Sequence, residues 1–158
     1  MIVRELETVV ETTEDIQKLM ERAVRAEGSF SRGVYDVRIT ADRFNLTMEE
    51  GLRTAQLGTV PFCRDVEAGS LRGVQNSENY TLANLFELIA FLLFHPEAVA
   101  EYDSVCALSE DSRWTDEKGQ VLVPYAYVGG SDRAIHLTAL RAVDFFRDHR
   151  SAVLVRRK

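Results

Sequence analysis

From Leu82 to Phe94 the chain runs through thirteen residues of which only Asn84 and Glu87 are polar, and it stops at His95-Pro96. A bilayer-spanning helix needs about 20 apolar residues, so this run is too short to cross a membrane. A helix apolar nearly all round must be buried in protein. The spacing of Leu82, Leu85, Phe86, Ile89, Leu92 and Leu93 predicts a helix over 82–94 with Thr81 as N-cap and Pro96 just beyond its end. The rest of the chain has to supply the layers that cover it.

The preceding segment sets the strongest contrast. From Pro61 to Tyr80 no period of 2 or 3.6 survives, and Gly69 and Gly73 punctuate a polar sequence holding Cys63, Arg64, Asp65, Glu67, Arg72, Gln75, Asn76 and Glu78. Long irregular connections are common places for function, so the reactive side chains of this loop are the first candidates for a site.

Other elements follow from pattern. Residues 2–11 fit a helical spacing, but the cluster Thr8, Val9 and Val10 favours a strand. Ile16, Leu19, Met20, Ala23 and Val24 predict an amphipathic helix over 14–27, capped by Thr13 and closed by Gly28, with Glu14–Lys18 and Glu21–Arg25 pairs. Alternation at Tyr35, Val37 and Ile39 predicts a half-buried strand. Thr47 and Glu50 predict a capping box opening a short helix through Met48, Leu52 and Ala55 to Gly58. Strands are expected at 59–63, 104–108 and 152–155, a second helical segment through Val99, and a hairpin of 113–115 with 120–127 around Asp116 to Gly119. Pro124 predicts an edge or a bulge in the hairpin's second strand. Leu140, Val143 and Phe146 predict a helix over 138–148.

At 158 residues the chain fits a single globular domain over 1–158, and 46% apolar with 28% charged residues is a globular composition. A net charge of −6 argues against nucleic acid and anionic membrane as partners. Arg156, Arg157 and Lys158 read as a solvated basic terminus. Arg4, Glu5, Glu7 and Glu11 interrupt any apolar leader, and two distant cysteines, Cys63 and Cys106, suggest reduced thiols, so a cytoplasmic protein is expected.

Glu87 is the sharpest anomaly, because a carboxylate in an apolar helix needs a partner. Either it forms a structural ion pair or stays half exposed, or with Asn84 it lines a pocket closed by the loop, with Arg64 or Arg72 as partner. Cys63 has no neighbouring base, and Cys106 sits in an apolar run. Asp65 and Glu67 share a side of an extended segment, with Glu78 as a possible third ligand, but no zinc, EF-hand or HExxH pattern is present. No phosphate-binding glycine motif opens a helix either. No cofactor and no metal is therefore expected.

The order of elements suggests an α+β domain with a mixed or mainly antiparallel sheet flanked by helices around a buried central helix near 82–94; a compact α/β sandwich is the competing architecture. The expected function is a non-catalytic binding or protein-interaction domain. Its partner would be a second copy or another protein, or a polar small molecule, and it would meet the loop or the aromatic hairpin. The alternative is a small hydrolase or transferase with a polar site built from Arg64, Asp65, Glu67, Arg72, Asn84 and Glu87.

Overall fold

The computed structural model describes residues 4–25, 33–40, 42–44, 51–62, 73–129, 134–141 and 151–158. Their elements are strand β1 (Arg4–Glu11), helix α1 (Ile16–Val24), strands β2 (Leu52–Phe62) and β3 (Tyr80–Leu82), helices α2 (Leu85–Phe94) and α3 (Pro96–Val99), and strand β4 (Ser104–Cys106). A 3-10 turn (Glu110–Ser112) then leads to β5 (Trp114–Thr115), β6 (Val121–Gly129), β7 (Ala134–Arg141) and β8 (Ser151–Arg157).

All eight of these strands join one mixed sheet, the architecture of an α+β protein. The backbone path runs β1-β2-β8-β4-β6-β5, with β3 on β8 and β7 on β6. Only β4 with β8 is parallel among the described pairs; the others are antiparallel. The closing strand β8 therefore sits inside the sheet, between β2 and β4, and its residues Ser151 to Val155 are all buried. An apolar, β-branched run is what a strand covered on both faces requires.

Helices α1 and α2 pack on each other and on one face of the sheet. That layer buries Leu19, Met20, Leu85, Leu88, Ile89 and Phe91 against Leu57, Val105, Leu137 and Leu154. The opposite face buries Cys106, Val123 and Val153 in one cluster and Val60, Val74 and Val155 in another. Among the described residues no helix is long and apolar enough to cross a membrane.

Several sequence expectations change. Helix α1 carries its expected apolar face, but its N-cap is Asp15, whose side chain accepts from the Gln17 amide, rather than Thr13; Gly28 lies outside the described residues. Glu21 pairs with Arg25 at 2.8 Å, whereas Glu14 meets Arg22 at 2.7 Å. The segment around Tyr35 makes a single parallel bridge to Leu137 and then turns, leaving Val37 70% exposed and Ile39 buried. Its alternation lacked a full partner strand.

Leu52 and Ala55 belong to β2, not to a helix, because the run 52–62 is paired by β1 on one side and β8 on the other. The proposed cap at Thr47 and Glu50 lies outside the described residues. Thr138 to Leu140 likewise lie on β7, held by β6 across eight residue pairs, while 142–150 lie outside the described residues. In both places an apolar spacing compatible with either period was decided by partner strands.

The 113–127 hairpin forms as expected, with Gly119 at φ 75 closing its turn, a conformation that favours glycine. Pro124 is not at a sheet edge. Its carbonyl accepts from the Ala107 amide at 3.1 Å, so its missing N–H faces the same side, at the break where β4 stops pairing β6 and β5 takes over. A proline costs no ladder bond there.

Candidate functional site

The polar group that the sequence marks as anomalous is Glu87, and its surroundings begin with the end of β3. Thr81 lies in β3 rather than capping a helix; the chain leaves the sheet at Leu82, and Asn84, with φ −101 and ψ 179, becomes the N-cap of α2. The Asn84 side chain accepts from the Glu87 amide at 3.0 Å, and the Asn84 amide donates to Glu87 Oε2 at 2.8 Å. Asn84-Leu85-Phe86-Glu87 is thus a reciprocal capping box. The Leu85 amide donates to Ser112 Oγ at 2.7 Å, so a further orphan donor of the first turn is satisfied.

The other carboxylate oxygen of Glu87, Oε1, accepts from Arg53 of β2 and, at 2.7 Å, from Arg156 of β8. The carboxylate is fully buried, while the two arginine side chains are 33% and 35% exposed. One buried negative charge is therefore compensated by two cations that keep an edge in solvent, the arrangement a buried carboxylate needs to be tolerated. Helix α2 is fastened through it to two strands at once.

Asn84 and Glu87 are brought together; Arg64, Asp65, Glu67 and Arg72, and Cys63, lie outside the described residues. Among the described residues the arginine partners of Glu87 come from the sheet, not from the preceding loop. Arg156 departs from the reading of a solvated basic terminus, whereas Arg157 and Lys158 are exposed as expected, with Arg157 meeting Glu5 at 3.2 Å and Lys158 Nζ donating to the Ser77 carbonyl at 2.6 Å. The signal for the cap was present as Asn-x-x-Glu three residues inside the expected helix start. No local signal marked Arg53 or Arg156, because their convergence depends on strand order.

The C-terminal end of α2 holds a histidine that superficially resembles a catalytic base. His95 Nε2 lies 3.1 Å from Thr8 Oγ1 and 3.1 Å from the Glu7 carbonyl oxygen, and its Nδ1 is 3.8 Å from Glu97. A carbonyl can only accept, so Nε2 carries the hydrogen and is no base toward Thr8. Thr8, itself buried, directs its hydroxyl to the Leu6 carbonyl at 3.2 Å. His95 is a tie between α2 and β1.

On the opposite face of the sheet, Tyr125, Tyr127 and His136 form a ladder with ring centroids 5.4 and 5.0 Å apart. All three are half-buried. The Val34 amide donates to His136 Nδ1 at 3.2 Å, which places the ring hydrogen on Nε2. A Cβ at Gly129 would come within 2.9 Å of the Tyr127 ring and 3.1 Å of the His136 ring, so glycine gives the ladder its room.

Elsewhere among the described residues, Glu5, Asp36 and Cys106 depart from their ordinary ionisation. The Tyr80 hydroxyl first of all, against desolvation and with help from Arg157, holds the Glu5 carboxyl below its ordinary range, and Glu5 pushes the Tyr80 phenol up. At Asp36 burial acts upward, but hydrogen bonds and charge from Arg38 outweigh it and leave the carboxyl lowered. Cys106 is a free thiol whose complete burial raises its pKa well above the ordinary value. Among the described residues no group of three His, Cys, Asp or Glu side chains could hold a metal ion.

No protein-family model matches this chain, and neither a curated protein nor a solved structure matches it.

Proposed function

We propose that this protein is a non-catalytic interaction domain that acts in the cytoplasm and binds a second copy of itself or another protein through the aromatic face of β6 and β7. The observation that carries the reading is the half-buried ladder of Tyr125, Tyr127 and His136, stacked ring on ring along one face of the sheet with Gly129 clearing its space. Aromatic residues supply large contact areas at small entropic cost and are enriched at protein interfaces. The polar segment 61–80, with Arg64, Asp65, Glu67 and Arg72, is the second surface offered to a partner. A free, buried Cys106 suits a reducing compartment.

The hydrolase or transferase alternative is weakened by the use of Glu87. Both of its oxygens accept hydrogen bonds that cap α2 and hold Arg53 and Arg156, which leaves Asn84 and Glu87 serving the fold in this reading.

Light scattering across micromolar dilutions tests the proposal. The expected mass exceeds the 17.9 kDa of one chain, and Tyr125→Ser with Tyr127→Ser lowers it to that value while the circular dichroism spectrum is retained. A wild-type mass of one chain at every concentration overturns self-association. Co-purification from cell extract that the double variant leaves unchanged would overturn the role of the aromatic face with any other protein.

A further inference from the structure

Beside the aromatic ladder, the outer edge of β7 is covered by the segment 33–38, which makes a single bridge to it from Tyr35 to Leu137. The Leu137 amide donates to the Val34 carbonyl at 3.0 Å, and the Leu137 carbonyl accepts from the Asp36 amide at 2.8 Å. Farther along β7, the Asp36 carboxylate accepts from Thr138 Oγ1 and from the Ala139 amide, and Arg38 donates to the Ala139 carbonyl at 3.3 Å. At the other end the Gly33 amide donates to the Val24 carbonyl of α1 at 3.3 Å. A Cβ on Gly33 would fall 1.8 Å from the Ile135 carbonyl oxygen, so the backbone here lies directly on the strand edge.

One of these ties depends on a titratable group. The Val34 amide donates to His136 Nδ1 at 3.2 Å, a bond that exists only while Nδ1 keeps its lone pair. In the imidazolium ion both ring nitrogens are donors, and Nδ1–H would then stand against the Val34 N–H, donor against donor. The surroundings decide which partner moves. His136 is stacked on Tyr127 with centroids 5.0 Å apart, and a tyrosine ring face attracts a cation, so protonation holds the ring in its seat. Val34 is 64% exposed, so water can take over its amide as soon as it lifts.

The charged groups around the ring keep their charge while it titrates. On the covering segment, burial raises Asp36 but Arg38 outweighs it, which leaves the carboxyl lowered and ionised. On α1, Arg22 and Arg25 are paired with Glu11, Glu14 and Glu21. Strand β6 presents the Tyr125 and Tyr127 phenols, and β7 itself carries Arg141. The other described histidine, His95, lies at the end of α2 against β1.

We propose that His136 is a pH-sensitive latch, whose protonation between about pH 8 and about pH 5 releases the Gly33–Val34 end of the segment from β7 while Asp36 and Arg38 keep the far end attached. The Ile135 carbonyl, which Gly33 covers in the closed state, becomes an open acceptor at the sheet edge. The latch rests on this geometry alone and stands whether or not the aromatic face binds a partner.

Heteronuclear NMR of the full chain across the same pH range tests this, with the His136 ring protons and the Val34 amide read in the same samples. The Val34 amide resonance is expected to follow the ring along one titration curve. Its hydrogen-exchange protection factor should fall about fivefold, as for one lost hydrogen bond, while the Asp36 amide keeps its protection. His136→Asn places a carbonyl oxygen near the Nδ1 position and cannot titrate, so Val34 should keep its protection at both ends of the range. His136→Phe keeps a ring on Tyr127 without an acceptor and should leave Val34 open throughout. The wild-type titration decides alone should either variant not fold. A Val34 amide indifferent to the titration of His136, or protection that still falls with acid in a folded His136→Asn protein, overturns the proposal.

Discussion

The two ends of helix α2 solve opposite problems. At the N-terminal end Asn84, Glu87 and Ser112 satisfy helix donors, and Arg53 and Arg156 neutralise the carboxylate, so polar groups are consumed in holding the helix to the sheet. At the C-terminal end His95 makes one tie to β1, and beside it the packing leaves an open cavity lined by Phe91. A residue that looks reactive in the sequence, Glu87, belongs to the end that is closed. The unfilled volume lies at the end where the sequence showed only a histidine and a proline.

The largest test of this contrast is Glu87→Ala. It leaves two arginines over an emptied, buried position and removes half of the capping box, with an expected loss of about 3 kcal/mol, the lower part of the range for a broken buried pair because both arginines reach solvent. Chemical denaturation measures it, and double-mutant cycles with Arg53 and Arg156 should each show coupling. A near-wild-type denaturation curve would dissolve the distinction between the two ends.

His95→Ala should cost less, about 1 kcal/mol, because one hydrogen-bonding group is lost at a partly buried position and Thr8 keeps its bond to the Leu6 carbonyl. A loss as large as that of Glu87→Ala would show that the C-terminal tie is as essential as the N-terminal lock.

The smallest expected effect is on pH dependence and concerns the outer face of β1. The folded pKa of Glu5 lies below its unfolded value, so its contribution is fully present above the unfolded value and is lost as pH falls through the folded one. As pH falls below the ordinary glutamate range and through the lowered folded pKa, the wild type should therefore lose more stability than Glu5→Gln. Equal losses in parallel acid titrations of the two proteins would remove Tyr80 and Arg157 as its stabilising partners.

Much of the architecture was legible from local pattern. The apolar faces of α1 and α2, the 114–129 hairpin and the last strand each rest on a periodicity or a turn signal that only one structure satisfies. Ambiguity arose where a spacing fitted both periods. Leu52 and Ala55, or Thr138 and Ala139, suit a helix taken alone, and their assignment to β2 and β7 comes from hydrogen bonds to strands distant in sequence.

What the sequence by itself determined is the apolar helix, the requirement that Glu87 find partners, and the Asn84-x-x-Glu87 box that fulfils half of that requirement, since a cap is built from residues three apart. Which arginines complete it was decided only by tertiary structure. The order β2-β8 brings positions 53 and 156 under one carboxylate although they are far apart along the chain. The same is true of the cavity at the other end of α2, because an unfilled volume is a property of how β1, β2 and α3 meet and has no signature in the residues of any one of them.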